Sequence, residues 1–197
     1  STIVMTGTAN IDNLAYPIYN LTIGTGSAIT VTATSSANVD NILTVAASAT
    51  LSVNTGMTFV SDLPCRSFVL NGAIRGAGQY WCEGSATFPT TGTLSAETCC
   101  IPDAPSPITL AARTYGGNVV FDHGQPSATR TIILGSGAGQ TLNFSGDIRM
   151  RNDSANTSAT TLLDGATNNP TVNVTGNIIT ESGDALTAND VKSISGG

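Results

Sequence analysis

Few side chains in this sequence could do covalent or acid–base chemistry. Its one histidine, His123, sits in Phe121-Asp122-His123-Gly124, beside an aspartate. Such a pair becomes catalytic only when the fold delivers a nucleophile to it. The glycine-flanked serine of Gly135-Ser136-Gly137 lacks the spacing of a nucleophile elbow. Cleavage of polysaccharides, a common task of β-helices, needs two carboxyl groups about 5 to 10 Å apart. Asp122, Asp147, Asp153 and Asp164 are the candidates, although aspartate in a turn-rich chain mostly serves to form turns. Asp147 and Asn177 hold equivalent positions in two similar segments, so stacking would set a carboxylate against an amide. We assign no catalytic residue.

Binding chemistry is similarly sparse. Arg151-Asn152-Asp153-Ser154-Ala155-Asn156 and Asn38-Val39-Asp40-Asn41 offer oxygen ligands for calcium. Neither fits an EF-hand loop or a calcium-binding nonapeptide, so polar loops are expected and no cofactor is assigned. Gly24-Thr25-Gly26 and Gly135-Ser136-Gly137-Ala138-Gly139 lack the lysine of a phosphate loop and read as turns. Asn20, Asn143, Asn152, Asn156 and Asn173 begin N-x-S/T triplets. With a quarter of the chain serine or threonine, about that many arise by chance, and they carry no signal. Cys65, Cys82, Cys99 and Cys100 fall in one proline-rich stretch that also holds the only tryptophan, Trp81. They have neither the C-x-x-C pairs nor the histidines of a zinc site. We expect two disulfides, with Cys65 and Cys82 each joined to one of the vicinal pair, because a bond between neighbours Cys99 and Cys100 is strained. Disulfides imply an oxidising compartment, at the cell surface or outside the cell.

The elements that must position any site are β-strands. There are 30 Thr and 19 Ser in 197 residues, with 21 Gly and 16 Asn. Ser, Thr and Asn compete for backbone hydrogen bonds and disfavour helix interiors. Thr, Val and Ile suit a pleated sheet, and Gly and Asn suit tight turns. An all-β chain follows, of a length that suits one domain. Charged residues are only 10% and the net charge is −6, with Lys192 the only lysine. That excludes a nucleic-acid surface, which must displace counterions from phosphates. No run of 18 apolar residues is present, so membrane insertion is not expected. The chain opens at Ser1 without an initiator Met, as a processed chain or an excerpt would.

The strands repeat. Thr141-Leu142-Asn143-Phe144-Ser145-Gly146-Asp147-Ile148 is matched in type, position by position, by Thr171-Val172-Asn173-Val174-Thr175-Gly176-Asn177-Ile178. The core of the pattern recurs as Leu70-Asn71-Gly72-Ala73-Ile74 and, with one extra residue, in Thr50–Met57. Ala28-Ile29-Thr30-Val31 and Ala49-Thr50-Leu51-Ser52-Val53 form an earlier pair. Alternation buries one face of each strand. The turn glycines Gly72, Gly146 and Gly176 mark breaks where we expect a backbone that β-branched residues cannot follow. Units that cannot bury their own apolar face must stack. We therefore expect a parallel β-helix-like β-solenoid, with a β-sandwich as the alternative. Residues 1–60 and 113–197 read as β repeats and 61–112 as a disulfide-stapled, loop-rich insert, all in one structural unit.

These Thr-apolar-Asn-apolar-Ser/Thr-Gly-Asp/Asn-Ile units resemble those of large secreted bacterial β-solenoid surface proteins, the adhesins and extracellular filament or matrix proteins. The resemblance implies a non-catalytic extracellular or cell-surface role. The expected function is a structural subunit of a filament or matrix. It would assemble head to tail through the apolar, uncharged strand Ile3, Val4 and Met5, with further copies of itself as partners. The alternatives are an adhesin or carbohydrate-binding module of a surface or phage fibre, with surface glycans as partners, and a β-helical polysaccharide-degrading enzyme.

Overall fold

The computed structural model describes residues 2–12, 16–61, 67–84, 87–102, 107–122, 129–151, 160–180 and 191–195. Cys65, His123, Asp153 and the stretch Asn152–Asn156 lie outside the described residues. Among those described there is no helix, and none is long and apolar enough to cross a membrane.

In chain order the strands are β1 (Thr2–Met5), β2 (Ala9–Ile11), β3 (Ile18–Ile23), β4 (Thr30–Ala33), β5 (Ala37–Val45), β6 (Thr50–Val53) and β7 (Thr58–Ser61). Next come β8 (Ser67–Leu70), β9 (Ala73–Arg75), β10 (Gln79–Gly84), β11 (Thr93–Leu94), β12 (Glu97–Pro102), β13 (Ile108–Leu110) and β14 (Thr114–Tyr115). The last are β15 (Val119–Phe121), β16 (Thr129–Leu134), β17 (Thr141–Phe144), β18 (Ile148–Met150), β19 (Thr160–Asp164), β20 (Thr171–Val174), β21 (Ile178–Thr180) and β22 (Val191–Ser195).

They form three parallel sheets. One runs β1-β3-β5-β7-β10-β12-β15-β18-β21, with β8 also on β5. The second runs β2-β4-β6-β9-β11-β14-β17-β20 and the third β13-β16-β19-β22. The nine-residue β5 serves two walls at once. Ala37–Val39 pairs with β7, and Ile42–Val45 pairs with β8. From β8 the wall continues through Phe88, whose ring lies 5.8 Å from that of Phe68. The Phe88 N–H donates to Thr109 O at 2.9 Å, which leads into β13. From β15 onward the chain visits the first, third and second sheets in strict rotation. The protein is thus a β-solenoid, and its parallel pairing throughout excludes the antiparallel sandwich.

The repeat found in the sequence is the register of the stack. Thr141–Phe144 pairs with Thr171–Val174, and Ile148 with Ile178. Val31 likewise pairs with Leu51. The Leu70–Ile74 copy occupies a different corner, from β8 into β9, whereas Gly56 and Gly146 precede strands of the first sheet. Residues 61–112 supply strands to all three sheets, and β10 alternates strictly between half-buried and buried positions. Pro and Cys in that segment conceal an ordinary inward face of Tyr80, Cys82, Leu94, Cys100, Ile108 and Leu110.

Inside, successive coils stack like on like. Val31, Leu51, Ile74, Leu94, Tyr115 and Phe144 are in register down the second sheet, and each is buried. Fully burying such a side chain contributes about 1.5–3 kcal/mol, so the axis is a continuous apolar core. A connected row of rings runs along it. Phe68 lies 5.3 Å from Tyr80 and 5.8 Å from Phe88; Phe88 lies 6.0 Å from Tyr115, which stacks on Phe144 at 5.0 Å. Arg113, 8% exposed, staples this row to the preceding coil. It donates to Pro89 O and Gly92 O at 2.9 and 3.2 Å, with its guanidinium 5.6 Å from the Tyr115 ring centre.

Two expectations are corrected. Gly72, Gly146 and Gly176 do not have left-handed backbones. They are glycine because the neighbouring coil's backbone comes too close for any Cβ: one on Gly176 would lie 2.5 Å from Gly146 O. Nor are the cysteines a staple. Cys82, Cys99 and Cys100 are buried thiols and none is in a disulfide. Vicinal residues of a strand point to opposite faces. Cys100 therefore faces the core in register with Cys82, while Cys99 pairs with Trp81 on the other face. Buried cysteine here packs as a small apolar residue. Burial, and then the nearby Cys82 and Cys99, push the Cys100 thiol well up, away from the reactive thiolate. Alkylation of the native protein should therefore leave these three unmodified. In denaturant without reductant all three should be labelled, and label that appears only after reduction would restore the disulfide reading.

A candidate functional site on one corner of the solenoid

The corner leading into the first sheet carries a row of polar side chains, one per coil. Gln79 and Glu97 are in register on β10 and β12. Asn118, Asp147 and Asn177 follow, each just before the next strand of that sheet. Gln79 Nε2 donates to Glu97 Oε1 at 2.6 Å, and Asn118 Nδ2 to Glu97 Oε2 at 3.2 Å. Asn118 Oδ1 accepts from the Asp147 backbone N–H at 3.0 Å. Asp147 Oδ1 accepts from the backbone and side-chain nitrogens of Asn177 at 2.9 and 3.1 Å. Trp81 Nε1 donates to Gln79 Oε1 at 3.0 Å. Arg149 approaches Glu97 and Asp147 at 4.0 Å each.

Asp147 does face an amide, as the repeat alignment implies. The Asn177 backbone N–H, with its side-chain amide and Arg149, holds the Asp147 carboxyl below the usual carboxylate range. A carboxyl kept ionised is poorly suited to the general-acid half of glycoside hydrolysis, which calls for a raised pKa. Asp122 is buried, with Arg151 Nη1 3.8 Å from its Oδ2. Asp164 organises a turn, accepting from the backbone N–H groups of Ala166 and Thr167 and from the Thr167 hydroxyl. These contacts, the Thr167 hydroxyl first, hold its carboxyl below the usual range. Asp122, Asp147 and Asp164 each engage different neighbours: Arg151, Asn177 with Arg149, and Ala166 with Thr167.

The other candidates resolve into framework. Asn41 Nδ2 donates to Asn20 Oδ1 at 2.7 Å, which engages one of the oxygen-rich residues considered for calcium. No group of three or more His, Cys, Asp or Glu able to hold a metal occurs among the described residues. Gly24, Gly26, Gly135 and Gly139 all have positive φ, which confirms turns. Asn173 Nδ2 donates to Asn143 Oδ1 at 2.9 Å, an outward asparagine stack.

Above the row, between the corners of successive coils, lies a cleft of about 300 Å³. Gly56, Thr58, Ala77, Gly78, Gln79 and Glu97 line it. Glu97 escaped the sequence reading because its partners Gln79 and Asn118 lie 18 and 21 residues away. Only the pairing register shows that they meet.

The fold defines the class: a β-solenoid with a predominantly apolar axis and a polar corner row. Comparison with protein-family models, with curated proteins and with solved structures found no match.

Proposed function

We propose that this chain is a non-enzymatic structural subunit of an extracellular filament or matrix, extended head to tail by strand addition. The supporting observation is the state of its first and last described strands. Among the described residues β1 bonds only to β3 and β2 only to β4, and β20, β21 and β22 each pair on one side only. Val172 and Ile178 hold positions that are buried as Leu142 and Ile148 one coil earlier, yet they are 38% and 55% exposed. At the other end Ile3 and Met5 pack against the core from an open edge, with Val4 outward and 52% exposed. Among the described residues the first and second walls thus present a parallel edge at both ends and the third at its C-terminal end, the geometry that lets one sheet continue in another. A contact between unlike ends does not close, so it propagates as a fibre. The extracellular placement rests on the repeat style; the buried thiols lend it nothing.

The test uses sedimentation velocity and electron microscopy at rising concentration. The parent should form filaments. Ile178→Lys, which places a charge on an already exposed site, should keep the parent's circular dichroism and stay monomeric. Deletion of residues 1–8 should do the same, and an equimolar mixture of the two variants should give discrete dimers. A parent that remains monomeric, or an Ile178→Lys variant that assembles as the parent does, refutes the reading.

A further inference from the structure

The cleft above the polar row has no part in end-to-end assembly. We infer that it is a binding site for neutral sugar units, with an extended oligosaccharide running from it down the corner row.

Its volume, about 300 Å³, is at the lower end of small-ligand sites, which suits one or two sugar rings. Its Gly56 edge borders open space, since an added Cβ there would meet nothing within 4 Å, and the φ of +75° favours glycine at that turn. Ala77 at its edge is exposed and small.

The polar atoms come as a fixed donor–acceptor pair. Trp81 holds the Gln79 carbonyl, Gln79 holds one Glu97 oxygen and Asn118 the other. This leaves the second N–H of the Gln79 amide and spare lone pairs on the Glu97 carboxylate. A sugar hydroxyl both donates and accepts, so it can use an amide N–H and a carboxylate oxygen side by side. Because protein contacts already fix both groups, little ordering remains to oppose binding.

Charge selects among sugars. Glu97 lies in the cleft with Arg149 4.0 Å from its Oε2, and the chain carries −6 overall, so the net field, and not Glu97 alone, disfavours an acidic glycan. Below the cleft, Asn118, Asp147 and Asn177 recur at the coil spacing of about 4.8 Å. They offer amide and carboxylate groups to a linear chain lying along the solenoid axis.

The test exploits Trp81, the only tryptophan in the chain and a hydrogen-bond partner of Gln79. Its fluorescence would be titrated with cellotetraose, chitotetraose, mannotetraose and the acidic tetragalacturonate, with calorimetry in parallel. At least one neutral tetraose should give a saturable change with a Kd of about a millimolar, a range typical of weak specific binding, and tetragalacturonate should give none. Ala77→Phe fills the cleft from an exposed position and should abolish the response while leaving circular dichroism unchanged. Gln79→Ala should weaken binding up to about tenfold, the loss of one hydrogen bond to a neutral hydroxyl. Absence of saturation by all three neutral tetraoses at about ten times a millimolar Kd overturns the inference, and so does undiminished binding by Ala77→Phe. Because the cleft is remote from the end strands, failure here leaves the filament test unaffected.

Discussion

Gly72→Val should destabilise the protein by more than about 3 kcal/mol, beyond the usual range for overpacking. A Cβ at this position would sit 2.2 Å from Ala49 O and 2.3 Å from Ala46 O. Both obstacles are backbone atoms of the coil beside it, so no rotamer change relieves the contact and the two coils must separate. Separation strains real bonds: Gly72 N donates to Val45 O, Ala73 N to Ala49 O and Thr93 N to Gly72 O. Gly146→Val and Gly176→Val should follow the same logic. Contacts of 2.7–2.8 Å with Asn118 and Gly117 await the first, and 2.5 Å with Gly146 O awaits the second. Gly7 supplies the control, since nothing lies within 4 Å of its added Cβ and its φ is not left-handed. Thermal and denaturant melts should place Gly7→Val within about 0.5 kcal/mol of the parent. A Gly72→Val variant that melts with Gly7→Val would mean that the coils are not this close.

Tyr115→Ala is the second large effect, at about 4 kcal/mol. The ring is fully buried, stacks on Phe144 at 5.0 Å and meets Phe88 at 6.0 Å. Its hydroxyl donates to Ala111 O at 3.1 Å, and Arg113 lies over its face. Removing it opens a cavity in the middle of the aromatic row, where the flanking coils are fixed by their own pairing and cannot collapse inward. In a domain of this size the expected fall in Tm is about 10 °C, at roughly 2–4 °C per kcal/mol. Tyr115→Phe keeps the ring and loses only the hydrogen bond, so it should cost about 1 kcal/mol. Equal losses in the two variants would show that the hydroxyl, and not the stacked ring, carries the stability.

The wall positions were legible in the sequence because burial follows a period of two. Leu142, Phe144 and Ile148 point inward for the same reason as Val172, Val174 and Ile178, and their match is literally the register. The corners were less legible. At Gly72, Gly146 and Gly176 the pattern suggests a left-handed φ, whereas the structure gives a close approach of the neighbouring coil. The closeness of the next coil is a property of two segments and leaves no mark on either alone. The middle of the chain misled because Pro and Cys draw the eye, whereas Gln79-Tyr80-Trp81-Cys82-Glu83-Gly84 alternates as plainly as any strand. The corner row was half visible. Asp147 and Asn177 share a repeat 30 residues long, but Gln79, Glu97 and Asn118 meet at separations of 18 and 21. Uneven coil lengths erase the periodicity that would have aligned them.

The identical registers of β17 on β20 and β18 on β21 have a genetic counterpart. A coil that shares its register and its Thr, Asn and Gly corner positions with the next one can accept a further coil of the same length without a shift of register. Copying one 30-residue stretch of the gene inserts a storey whose Thr141, Asn143 and Gly146 equivalents meet partners of their own kind, as Thr171, Asn173 and Gly176 already do. A tower of this sort can grow taller by recombination in single steps, each intermediate being as foldable as the last.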